Sequence, residues 1–159
     1  SGTGGLLRKN GRLKEITSNF VGACGEGDYP KVSFMLAHKP EIINELDDDR
    51  GGVSGLMRAA NKGHLRIVKK LLENYPDINL KNSEGYTALT YAVTSTNVSP
   101  PGRNNWALIQ LLLDEGADAF VKDKMDRNLL WYADNYYIKV RLQEYLRLEK
   151  APFYGCYLQ

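Results

Sequence analysis

The feature that most constrains this chain is a pattern that begins twice. Gly52 to Gly85 reads G-V-S-G-L-M-R-A-A-N-K-G-H-L-R-I-V-K-K-L-L-E-N-Y-P-D-I-N-L-K-N-S-E-G, and at Tyr86 the chain restarts with Y-T-A-L-T-Y-A-V. Self-similarity at this spacing is the mark of a repeat architecture. Within the unit, Leu56, Ala59, Ala60, Ile67, Val68, Leu71 and Leu72 are spaced to make two antiparallel helices. Such a pair has one shared seam and an apolar face toward each neighbour. One unit cannot bury both faces, so the fold must be a stack.

Three further segments align with this unit. Phe20 to Asp28 with Val32, Met35 and Leu36 forms a degenerate first repeat: Ala23-Cys24 lies over Ala59-Ala60, Gly27-Asp28 over Gly63-His64, and Met35-Leu36 over Leu71-Leu72. Small residues recur where the helices touch because backbones approach closely only there, and glycine at the turn permits the positive φ that ends a helix. The third repeat opens at Tyr86 to Val93 and closes at Leu108 to Asp118. Val93 to Ile109 spans 16 steps where Ala60 to Val68 spans 8, so eight residues are inserted. The segment Thr94 to Asn105 is polar with a Pro-Pro-Gly break, which predicts a loop between paired helices, serving either no function or a partner contact. Leu129 to Ala133, then Ile138, Val140, Leu142, Tyr145 and Leu146, make a looser fourth unit.

The central unit resembles the ankyrin repeat. Ser54-Gly55-Leu56-Met57-Arg58-Ala59-Ala60 lies over that family's T-P-L-H-x-A-A, and Gly63-His64, Ile67-Val68 and Leu71-Leu72 fall where its second helix keeps them. The resemblance implies an all-α ankyrin-repeat solenoid of about four helix-turn-helix repeats joined by β-hairpin-like loops, with degenerate terminal units. It divides the chain into a leader and N-terminal capping helix (1–18), repeats at about 19–51, 52–85, 86–126 and 127–146, and a C-terminal tail (147–159). Leu6, Leu7, Leu13, Ile16 and Phe20 at roughly helical spacing suit the cap, with Ser1 to Gly5 a flexible leader.

The family implies binding of another protein through hairpin tips and the exposed face of the inner helices. Carried over position by position, that surface comprises Arg50, Val53, Asn61, Lys62, Ser83, Glu84, Tyr86, Thr94, Lys124, Met125, Arg127, Asn135 and Tyr136, together with the acidic finger Asp47, Asp48 and Asp49. The hairpins run from this acidic finger to the basic one around Lys122 and Lys124. The expected function is a non-catalytic scaffold or adaptor module; the alternative is a small inhibitor that blocks an enzyme such as a kinase or phosphatase. Asn79 resembles the hairpin asparagine that intracellular hydroxylases modify in this family, with turn stabilisation as its plainer role. Gly55, Ala88 and Leu129 replace the family's proline, and Met57, Thr90 and Trp131 its histidine, substitutions that weaken turn and inter-repeat bonding.

Little else in the chain suggests chemistry. A net charge of +2 gives no basic face for nucleic acid, and no apolar run reaches the ~20 residues that span a bilayer. Cys24 and Cys156 stand far apart without a C-x-x-C pair, which argues against zinc or a disulfide framework and for a reducing compartment, cytoplasmic or nuclear. Cys24 and His64 read as repeat residues, leaving no nucleophile with a base in reach. Gly22 to Gly27 lacks the Lys-Ser or Lys-Thr of a phosphate loop. Asp47 to Asp49 lack the spaced ligands of a calcium loop and read as a solvated finger. The expectation is a monomer with no cofactor and no metal. Asn97-Val98-Ser99 matches a glycosylation sequon but is followed by Pro100. Six of ten tyrosines lie beyond Arg127. Trp131 and Tyr145 read as an aromatic seal on the last unit, and Tyr136 and Tyr137 as seal or binding patch.

Overall fold

The computed structural model describes residues 2–95 and 103–150, with side chains at 11–95 and 106–149. The helices come in pairs: α1 (Gly2–Glu26) with α2 (Tyr29–His38), α3 (Gly55–Lys62) with α4 (Leu65–Leu72), α5 (Ala88–Thr94) with α6 (Arg103–Asp114), and α7 (Leu129–Tyr132) with α8 (Tyr136–Lys150). Inner helices pack in succession, α1 on α3, α3 on α5 and α5 on α7, and the outer α4 and α8 rest on α2 and α6. Among the described residues there is no strand beyond an isolated bridge between Asp47 and Val53. No helix there is long and apolar enough to cross a membrane.

The seam is a continuous apolar core in which Phe20, Met57, Leu71, Leu89, Leu112 and Leu142 are fully buried. Leu72 is only half-buried, so it contributes less than its neighbour Leu71. Where the family keeps proline, Gly55 lies so close to the first repeat that an added Cβ would stand 2.7 Å from Phe20 Cε1 and 2.9 Å from Cys24 Sγ. The first repeat's large ring thus demands the smallest residue in the second. Where the family keeps histidine, Thr90 Oγ1 accepts from Thr87 N (3.2 Å) and Met57 Sδ takes the Ser54 N–H (3.4 Å), so the inner-helix caps survive the replacement.

Inner helix α3 ends at Gly63, whose φ of 73° is the left-handed conformation that favours glycine. His64 follows, and its Nε2 lies 2.9 Å from the Gly25 carbonyl oxygen, a bond that ties the second repeat to the first. Burial pushes the Cys24 thiol up to about 12, which leaves it a packing residue without a thiolate at neutral pH.

Two boundaries and one burial differ from those expected. The cap and the first inner helix are one element, since α1 runs through the 18/19 division. Gly11 and Gly22 do not break it. The loop expected to run to Asn105 ends earlier, because α6 starts at Arg103; its centre, 96–102, lies outside the described residues, as do Cys156 and the tail from 151. Trp131 does not seal the last unit but stands 65% exposed. Thr90 and Met57, at the same register, are buried on inner helices that a following inner helix packs against, and among the described residues no inner helix follows α7.

Candidate partner-binding face

Each connection between repeats is built around one polar residue at an equivalent position: Asp47, Asn82 and Asp123. Each donates its backbone N–H across the hairpin, to Val53 O (2.8 Å), Tyr86 O (3.1 Å) and Arg127 O (3.1 Å) respectively. The side chains then collect the N–H groups of the turn. Asp47 accepts from Asp49, Asn82 from Glu84 and Tyr86, and Asp123 from Met125 and Arg127. A turn whose amides converge on one side-chain oxygen needs that residue inside, and all three are buried.

Two of the expected surface positions are therefore corrected. Asp47 is 3% exposed and Val53 6%: the first holds the turn and the second closes it. Asp48 and Asp49 do face solvent. Arg50 is exposed, with Nε 3.0 Å from Asp47 Oδ2.

The hairpins that open the third and fourth repeats interlock. Lys124 N donates to Glu84 O (3.0 Å) and Lys124 Nζ pairs with Glu84 Oε1 at 2.7 Å. Behind them the inner helices carry a row of rings. Asn82 Nδ2 donates to Tyr91 Oη (3.1 Å), and the Tyr132 hydroxyl donates to Asp123 Oδ2. Tyr86 sits edge-on between the two, with ring centroids 5.8 Å from Tyr91 and 5.7 Å from Tyr132. Arg127 Nε pairs with Asp123 Oδ2 at 2.7 Å, and its guanidinium lies 5.6 Å from the Trp131 and Tyr132 ring centroids.

Electrostatics follow from these bonds. Burial alone would raise Asp123, but the Tyr132 hydroxyl and the Arg127 and Met125 donors hold its carboxyl well below the usual range. Tyr132 is raised by burial and by its bond to that carboxylate. Burial also raises Tyr91, against the opposing pull of Asn82 and of the nearby Arg58 charge.

The remaining expected residues scatter. Ser83, Lys124 and Met125 are exposed, and Asn61 and Lys62 half-buried beside α3's end. Thr94 donates its hydroxyl to Tyr91 O (3.0 Å), and Asn135 Oδ1 accepts Ile138 N (3.2 Å) at the start of α8, so both serve their helices. Tyr136 is 81% exposed. Asn79 is an inter-repeat clamp: Nδ2 donates to Gly116 O (3.3 Å) and Oδ1 accepts from Asp118 N (2.8 Å). Asn44 Oδ1 accepts Asp77 N (2.7 Å) one repeat earlier in the same way.

Arg58, Tyr91, Tyr132 and Trp131 belong to this face and were not among the surface residues expected. The signal was present, since Arg58, Tyr91 and Tyr132 all occupy the x of T-P-L-H-x-A. No metal-holding group of three or more His, Cys, Asp or Glu occurs among the described residues.

Comparison with known proteins agrees with this architecture. Residues 35–92 match the family described as ankyrin repeats in many copies, and 84–124 match the single ankyrin repeat. The chain is 37% identical over 111 residues to an ankyrin repeat-containing protein of Treponema pallidum (strain Nichols), covering 70% of this chain and 34% of that protein. It is 34% identical over 112 residues to the ankyrin repeat protein YahD of Escherichia coli (strain K12), covering 70% and 53%. It is also 38% identical over 85 residues to the human NAD-capped RNA hydrolase NUDT12, covering 54% of this chain and only 18% of that enzyme, within its ankyrin region. The chain thus spans about half or less of the length of these relatives. It belongs to the ankyrin-repeat family, whose repeats are in general non-catalytic modules for protein interaction.

Proposed function

We propose that this chain is a non-catalytic scaffold or adaptor module that binds a protein partner across a concave surface formed by its inner helices and hairpin tips. The observation that carries this reading is the ring row Tyr91–Tyr86–Tyr132 with Arg127 beside Trp131. Aromatic rings and arginine dominate binding energy at protein interfaces. Rings already fixed by hydroxyl bonds and edge-on contacts lose little entropy when a partner arrives. The same reading takes the chain as an intracellular monomer that engages protein rather than nucleic acid.

Photo-crosslinking tests it. A photoreactive phenylalanine analogue at Trp131 or Met125 should capture a discrete partner, and the same analogue at Phe34 on the exposed side of outer helix α2 should not. Equal capture from Phe34 would overturn the assignment of the face. Assay of any captured enzyme with and without the chain separates an adaptor from an inhibitor.

A further inference from the structure

In the third and fourth repeats, the residue at the x position of the inner helix is tied to its own hairpin: Tyr91 to Asn82 and Tyr132 to Asp123. The second repeat breaks the rule. From Asp47 to Val53 its hairpin is six steps long, where Asn82 to Tyr86 and Asp123 to Arg127 are four. The two additional residues bring Arg50 back onto Asp47, with Nε 3.0 Å from Oδ2. The Arg58 side chain is left with no hydrogen bond and no ion pair among the described residues.

Both arginines lie across α1, in notches where it has glycine. A Cβ added at Gly22 would stand 3.0 Å from Arg50 Nη2, and one added at Gly25 would stand 2.8 Å from Arg58 Cγ and 3.0 Å from its Nε. Gly22 itself occupies the x position of the first repeat, so the site that holds a tyrosine further along holds a guanidinium from the next repeat here. The notches are three residues apart on one helix, about 4.5 Å along its axis. One carboxylate bridges that span. Lys62, half-buried and also outside any ion pair among the described residues, adds positive charge at the end of α3. The carboxylate closest in register is Glu26, which is exposed and likewise outside any ion pair.

We infer that Arg50 and Arg58, seated in the Gly22 and Gly25 notches respectively, form a carboxylate-binding step that selects a partner segment rich in Asp or Glu. The inference deepens the proposed function and rests on it. Guanidinium groups are matched to carboxylates by their planar fork, and Arg58 has nothing else to satisfy it. The partner segment then lies with an acidic side chain on the arginines and an apolar one toward the Tyr91–Tyr86–Tyr132 row.

Selection from a displayed library of random linear 12-residue peptides tests this. Peptides retained by the wild-type chain should be enriched several-fold in Asp and Glu. The best of them should bind Arg58→Gln roughly ten- to a hundredfold more weakly, the loss expected for a hydrogen bond to a charged group. Gly25→Ala should also weaken binding, because its Cβ, 2.8 Å from Arg58 Cγ, pushes the arginine out of the notch. A selection without acidic bias, an empty selection, or binding indifferent to Arg58→Gln would overturn the inference. If unbiased peptides still lose affinity with Trp131→Ala, the inner-helix face stands and only the acidic partner falls. Indifference to Trp131→Ala, Tyr91→Ala and Arg58→Gln together would remove both.

Discussion

The second and fourth repeats use the same backbone in opposite ways. In the fourth, Asp123 gathers two backbone amides, the Tyr132 hydroxyl and the Arg127 side chain, so its inner-helix face is bound to its own hairpin. In the second, Asp47 is occupied by Asp49 N and Arg50, and Arg58 at Tyr132's register position is unpaired among the described residues. A repeat therefore need not use every position for stability. The scaffold supplies the geometry, and the six-step hairpin of the second repeat goes with a face residue whose side chain is unpaired among the described residues, whereas both four-step hairpins bind theirs.

The largest expected effect lies beneath both repeats. Leu71 is fully buried in the shared seam, and Leu71→Ala should cost about 2–5 kcal/mol in denaturant melts, whereas half-buried Leu72→Ala should cost less. That loss is a large part of the margin of a domain of this size and would lower folding and binding together. Equal costs at the two positions would contradict the depth assigned to the seam.

Next is the hairpin interlock. Gly85 has φ 81°, and a Cβ there would stand 2.9 Å from Asp123 Cα and Lys124 N. Gly85→Ala should destabilise by about 1–3 kcal/mol through strain at a position that favours glycine and through backbone collision. Gly51→Ala at the second hairpin meets no neighbour within 4 Å and should show only the strain from its φ of 80°. A thermal melt of each variant compares the tight hairpin with the open one.

A smaller effect is read at Asp123 through pH. The folded Asp123 carboxyl is held below its unfolded value, so its contribution is complete above about pH 4 and is lost as pH falls through the folded value. Asp123→Asn should flatten the acid side of the melting-temperature profile. Unchanged acid sensitivity in that variant would show that other carboxylates govern it.

The stack was legible in the sequence because small and apolar residues recur at fixed register: Ala23-Cys24, Ala59-Ala60 and the Leu71-Leu72 pair must meet whatever surrounds them. The face was less so. Asp47 reads as part of a solvated acidic finger, since sequence does not say which of three consecutive aspartates turns inward to take the amides. Val53 looks like a surface position until its carbonyl is seen closing the bridge with Asp47 N. Trp131 reads as a seal because its aromatic character suits burial, yet exposure there depends on what packs after it. Arg58 stands at the variable position in the sequence, but only the structure shows that its side chain has no hydrogen bond or ion pair among the described residues.

The central claim is that tied positions hold the fold and the untied Arg58 recognises the partner, and paired melting and peptide-binding measurements on Arg58→Gln test it most directly. The account predicts a melting temperature within about 1–2 °C of wild type, as for a half-buried side chain without hydrogen bond or ion pair among the described residues whose loss is worth no more than ~0.5 kcal/mol, with affinity for an acidic peptide reduced about tenfold or more. A variant that melts several degrees lower while binding the peptide as tightly as wild type would contradict it.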